Sequence, residues 1–170
     1  MMLKKLFGMF KGEAKESNQN EGKVFATQTG KAIELSEVPD QVFASKLLGE
    51  GFAIIPTEGK VYSPVNGEIV SVAPSLHAYG IRTASGLEFL VHIGLETVKL
   101  NGEGFKVAVK QGDKVKAGDL LAEVDLAFIE SKECKTCTPV VITNLEEGKN
   151  VSFTLGLVVA KESVVMEYDK

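Results

Sequence analysis

The 170-residue sequence predicts an all-β fold: antiparallel strands packed as a sandwich, with one or two short helical turns. Two observations predict it. Seventeen glycines are scattered between short apolar runs, the pattern of many tight turns joining many short strands. Residues 87–93 are too few for a helix, rich in β-branched and aromatic side chains, and flanked by Gly86 and Gly94. A hydrophobic content of 44% over this length is enough to bury one core without disulfides or metal, so a single domain is expected.

Charge and cysteine usage narrow the function classes. The net charge is -4 and no dense basic block lies beyond the extreme N-terminus, which argues against nucleic acid and suits a basic protein partner. No apolar run is long enough to span a bilayer. Two cysteines are too few for a secreted disulfide framework and no cleavable signal precedes the domain, so a cytoplasmic location is expected.

Taken in order, residues 1–11 place Leu3, Leu6, Phe7 and Phe10 at helical spacing, with Lys4, Lys5 and Lys11 toward the other side. Such a basic amphipathic start, interrupted by Gly8, would touch an anionic membrane surface only weakly by itself. The next stretch, to residue 22, is polar and cannot bury anything, so residues 1–22 are expected to be a flexible tail and 23–170 the folded domain.

Strands are expected at 24–26 and 31–35. Asp40 is a good N-cap for one or two helical turns within 41–48, which would put Phe43, Leu47 and Leu48 on one stripe. Strands at 52–55, 60–62 and 68–72 follow, the last two joined by Asn66-Gly67, a hairpin turn signal. Residues 81–83 enter a turn at 84–86 that feeds the 87–93 strand. If these two strands pair about that turn, residue 77 falls opposite residue 92 to within one position. The only two histidines of the chain, His77 and His92, then share one end of a hairpin. Residues 107–125 repeat valine and glycine-aspartate at short intervals, 126–133 suits a helical turn, and strands are expected at 139–143, 150–155, 157–160 and 164–168.

Within 87–93, alternation sends Glu88, Leu90 and His92 to one face and Phe89, Val91 and Ile93 to the other. His92 therefore sits on a partly apolar surface. An imidazole there can serve as nucleophile, proton carrier or metal ligand, and one residue alone does not choose among them.

The run Gly86-Leu87-Glu88-Phe89-Leu90-Val91-His92-Ile93-Gly94-Leu95-Glu96-Thr97-Val98 resembles the active-site signature of the glucose-type enzyme IIA family of the bacterial phosphoenolpyruvate-dependent sugar phosphotransferase system. The match holds at each of its positions, and the likeness extends from about Val24 to the C-terminus, through Ser63-Pro64-Val65-Asn66-Gly67, His77-Ala78 and Thr138-Pro139-Val140-Val141-Ile142. The turn pattern around residues 64–70 and 107–125 is also similar to that of biotinyl and lipoyl carrier domains, whose architecture is a barrel-sandwich hybrid.

The resemblance implies that His92 is phosphorylated on Nε2, that the Gly94 carbonyl holds its Nδ1-H, and that His77 steadies the phosphoryl group. It gives Ser75, where the family has threonine, the part of orienting His77. It places apolar partner contacts at Val42, Phe43, Leu47, Leu48, Leu90 and Val98, with Asp40 and Glu96 facing a basic partner. Implied partners are the phosphocarrier HPr, the IIB domain of a glucose-type permease and regulatory proteins. No cofactor is required, and zinc at the histidine pair is expected only inside a complex with another protein.

The rivals lack their chemistry. Cys134 and Cys137 have zinc half-site spacing, but the histidines lie fifteen positions apart rather than three to five. A zinc peptidase of similar architecture needs a His-x-His pair, and His92 is followed by Ile93 and Gly94. A biotin or lipoyl carrier needs a lysine at a hairpin tip, and neither Asn66-Gly67 nor Ala84-Ser85-Gly86 offers one. No glycine-rich phosphate loop for a nucleotide is present.

Overall fold

The computed structural model describes residues 20–170. The amphipathic start and most of the linker fall outside the described residues. Fourteen strands run through the described part: β1 (Lys23–Phe25), β2 (Gly30–Glu34), β3 (Glu50–Pro56), β4 (Lys60–Tyr62), β5 (Gly67–Val72), β6 (Ala78–Arg82), β7 (Glu88–His92), β8 (Phe105–Val107), β9 (Lys114–Val115), β10 (Leu120–Val124), β11 (Thr138–Ile142), β12 (Val151–Phe153), β13 (Gly156–Val158) and β14 (Val164–Tyr168). Two short helices, α1 (Gln41–Ala44) and α2 (Leu126–Ser131), and two 3-10 turns (Leu35–Glu37 and Thr97–Leu100) complete it.

One eight-stranded sheet, in the order β13-β2-β3-β11-β7-β6-β5-β9, packs with two three-stranded sheets, β1-β14-β12 and β4-β10-β8. The pairings are antiparallel, as the short turns between apolar runs predict. The large sheet is apolar on both faces near its middle. Phe52, Ile54, Phe89, Val91, Val140 and Ile142 enter the main core between the sheets. Their strand neighbours Ala53 and Val141, with Leu90 packed alongside, turn to the opposite face, where Leu35, Val38, Phe43, Leu95 and Cys137 form a second, smaller cluster. Strand alternation produces this division, and it puts His92, which shares the parity of Leu90, beside the smaller cluster rather than in the main core.

The hairpin of β6 and β7 has the expected register. Arg82 pairs with Glu88 and Ala78 with His92, and the Ile93 amide donates to the His77 carbonyl at 2.7 Å. A second rhythm is also met. Lys110-Gln111-Gly112-Asp113 and Lys116-Ala117-Gly118-Asp119 form matching turns, in which each aspartate carboxylate accepts from the amide of the lysine three residues before it, at 3.0 and 2.8 Å.

Two local expectations are corrected. Asn66-Gly67 does not close a hairpin, because β4 pairs with β10 whereas β5 pairs with β6 and β9. The chain instead crosses from one sheet to another there. The Asn66 side chain accepts from the Ala117 amide at 2.8 Å, and a Cβ at Gly67 would lie 2.4 Å from the Arg82 carbonyl oxygen. The glycine serves close strand approach rather than a left-handed turn. The segment after Asp40 forms one helical turn, within the one or two expected, but not the apolar stripe expected of it. Asp40 caps it, accepting from the Val42 amide at 2.9 Å, but α1 ends at Ala44 and Lys46 adopts a left-handed backbone with φ 60°. The helical spacing is lost after one turn, so the stripe does not form: Phe43 is buried and Leu47 is 77% exposed.

Candidate functional site: a histidine pair at the edge of the second cluster

His92 is the last residue of β7, and the next turn folds back on it. Gly94, with φ +75°, turns its carbonyl toward the ring, and that oxygen lies 2.7 Å from Nδ1. A carbonyl can only accept, so Nδ1 carries the proton and the lone pair is left on Nε2. His77 stands across the hairpin. The two rings abut edge to face, with centroids 5.0 Å apart and planes at 82°. On its other side His92 meets the Phe43 ring at 5.1 Å.

His77 reaches this position through the turn that precedes β6. Leu76 has φ 60°, its amide donates to the Ala73 carbonyl, and its own carbonyl accepts from the Tyr79 hydroxyl at 2.8 Å. Tyr79 is fully buried, and this burial raises its pKa to about 12, so the hydroxyl remains a donor.

Both imidazoles are held below the ordinary histidine value of 6.5. For His92 burial is the main cause, opposed by the Gly94 carbonyl and by the Asp40 carboxylate. For His77 burial again leads, a charged His92 adds repulsion, and the Ser75 main chain opposes both. Two neutral rings at neutral pH follow, one of them with its lone pair on Nε2. The same shift is a statement about stability. Below pH 6.5 the unfolded chain takes up protons that the folded pair resists, so stability falls as pH drops from 6.5 toward the lowered folded values. Urea melts between about pH 7.5 and pH 5 should show this loss, and His77→Gln should make it shallower.

The other expected residues fall into four groups. Val42, Leu47, Leu48 and Val98 are exposed apolar side chains, with Val98 at 56% and Val42 at 43%. Phe43 and Leu90 are not rim residues: Phe43 is 5% exposed and forms a wall against His92, and Leu90 packs on the smaller cluster. Asp40 sits close enough to act on His92, and Glu96 is exposed with a left-handed backbone of φ 61°. The Ser75 hydroxyl does not hold Nδ1 of His77, which is buried without a hydrogen-bond partner. What bears on His77 from Ser75 is the main chain.

The cysteines do not form a pair. Cys134 belongs to the main core and Cys137 to the second cluster, and burial pushes the Cys137 thiol up to about 11. Among the described residues there is no group of three or more histidine, cysteine or acidic side chains able to hold a metal ion.

One contributor was not singled out by the sequence reading. Thr97 is fully buried, and its hydroxyl donates to the Ile93 carbonyl at 2.6 Å, within the turn that presents Gly94. Its only sequence signal is a threonine five positions after His92 inside the signature.

The fold and the paired imidazoles define an all-β domain with two histidines side by side at the edge of its smaller cluster. The family model for the phosphoenolpyruvate-dependent sugar phosphotransferase system, EIIA 1, matches residues 22–148, and the chain belongs to that family. It is a phosphotransferase component of sugar uptake. A glucose-specific EIIA component of Bacillus cereus is 47% identical over 162 residues, covering 95% of this chain and 94% of that protein. One of Halalkalibacterium halodurans is 48% identical over 147 residues, covering 86% and 85%. Among solved structures, glucose permease IIA from Mycoplasma capricolum superposes with a TM-score of 0.81 at 42% identity, covering 85% of this chain and 94% of that one. A glucosamine-specific EIICBA component of Bacillus subtilis is 52% identical over 118 residues, which are 69% of this chain and 19% of that protein.

Proposed function

We propose that His92 is the residue that carries the phosphoryl group, in two transfers. In the first, the Nε2 lone pair attacks the phosphorus of phospho-HPr, the bond from phosphorus to the donor nitrogen breaks, and its electron pair stays on HPr. In the second, a cysteine thiolate of a glucose-type IIB domain attacks the same phosphorus, and the electron pair of the breaking bond returns to Nε2. Such a relay needs a neutral nitrogen held in place, donors for the phosphoryl oxygens and exclusion of water. The observation that carries the reading is the 2.7 Å contact between His92 Nδ1 and the Gly94 oxygen, which leaves Nε2 bare, with His77 against the same ring.

His77 donates a hydrogen bond to a phosphoryl oxygen, and Ser75 helps to set that ring. Val42, Leu47, Leu48 and Val98 dry the docking face, and Asp40 and Glu96 meet cationic side chains of the partner, speeding encounter more than tightening it. The glucose-specific names of the relatives point to a glucose-type permease as recipient. The tail at residues 1–22 precedes a folded unit of 23–170, and its basic start gives weak contact with the inner face of the membrane. Regulatory proteins use the same face. Zinc binds at His77 and His92 only inside such a complex, and the relay needs no cofactor.

Incubation with phosphoenolpyruvate, enzyme I and HPr should yield an acid-labile, alkali-stable adduct. His77→Gln should still accept phosphate but pass it to IIB slowly, about 10²-fold below wild type, which rapid-quench transfer assays would measure. Normal onward transfer by that variant would remove the role given to His77.

A further inference from the structure

Gly94 poses a mechanical problem. Its carbonyl sets the tautomer of His92, yet glycine is the residue with the freest backbone. Two peptide planes meet at its Cα, and each is fastened by a different hydrogen bond. The plane between Gly94 and Leu95 supplies the oxygen that faces His92, and its amide, that of Leu95, donates to the Lys135 carbonyl at 3.0 Å, within a bridge of Leu95 with Lys135. The plane between Ile93 and Gly94 has its oxygen held by the Thr97 hydroxyl at 2.6 Å. On the other side of Ile93, its amide is tied to the His77 carbonyl at 2.7 Å. With both planes held, neither dihedral of Gly94 can turn without breaking a buried bond.

We propose that Thr97 is a positioning residue for phosphoryl uptake: its hydroxyl locks the Ile93–Gly94 peptide so that the Gly94 carbonyl keeps His92 protonated on Nδ1 and nucleophilic at Nε2. The proposal deepens the reading of His92 as phosphoryl acceptor and rests on it. Thr97 does not touch the reacting atoms. Its hydroxyl is buried and makes its bond inside the turn. A role limited to packing would be served equally by valine, which has the same shape.

The test uses the full chain in its unphosphorylated form and reads the tautomer directly, by two-bond proton-nitrogen correlation spectra of the 15N-labelled imidazoles. Wild type should show His92 with the proton on Nδ1. In Thr97→Val a population protonated on Nε2 should appear, and the rate of uptake from phospho-HPr should fall about 10-fold. Thr97→Ser keeps the hydroxyl and drops the methyl, so it should restore both the tautomer and the rate. Thr97→Ala takes the place of the valine variant if that protein does not fold. An unchanged His92 spectrum in the valine or alanine variant overturns the proposal. So does equal disturbance in the serine variant, which would assign the effect to the methyl. The spectra need no phosphoryl donor, so a failure of His92 as acceptor would show separately, as labelling that survives His92→Gln.

Discussion

His92→Gln should abolish phosphoryl uptake. With phosphoenolpyruvate, enzyme I and HPr in excess, the wild type should label and the variant should show no adduct above background, a loss of at least about 10³-fold. A glutamine amide nitrogen has no available lone pair, so nothing replaces Nε2. The fold should tolerate the change, because His92 ends β7, is only half-buried and faces the edge of the smaller cluster, away from the main core. Full labelling of His92→Gln would move the acceptor elsewhere. His77 would be the first place to look, since it is the other histidine of the chain and its ring abuts His92.

How far this site could be read in advance depended on whether the controlling forces were local. Strand parity at residues 87–93 is set by neighbours two positions apart, and Phe89, Val91 and Ile93 are indeed buried in the main core. The pairing of Ala78 with His92 follows from counting outward from the 84–86 turn, which needs no long-range information. Asn66-Gly67 misled for the opposite reason. β4 pairs with β10 and one edge of β5 with β9, both more than forty residues away, while the other edge of β5 takes β6, so a local turn preference lost to long-range pairing. Phe43 and Leu47 were separated by a single left-handed residue, Lys46, that helical periodicity did not anticipate. Thr97 escaped notice because its work is one hydrogen bond across a turn, and its partner is a main-chain oxygen whose direction no side-chain pattern reveals. The motif marked the place, and only the three-dimensional turn shows what the threonine holds.

Gly94→Ala should damage fold and chemistry together, through a single added methyl group. At φ +75° a residue with a Cβ is strained by about 1–2 kcal/mol before any contact is considered. The added carbon would also lie 2.6 Å from Thr97 Cγ2 and 2.9 Å from the Lys135 oxygen, inside van der Waals contact on two sides. The Lys135 oxygen is main chain and already engaged by the Leu95 amide, so it cannot retreat without opening the bridge that holds the turn. A total loss of about 2–4 kcal/mol of stability is expected, read as a shift in the urea midpoint. The relief available to the turn is to rotate the peptide and swing the carbonyl away from His92. That releases the Nδ1 proton from its acceptor at 2.7 Å, lets the ring exchange tautomers, and removes the attacking lone pair from Nε2 for part of the time. Uptake from phospho-HPr should therefore fall by more than the unfolded fraction explains, measured on protein shown by its spectrum to be folded. A variant that is destabilised but, once folded, accepts phosphate at the wild-type rate would show that the Gly94 carbonyl does not control the nucleophile.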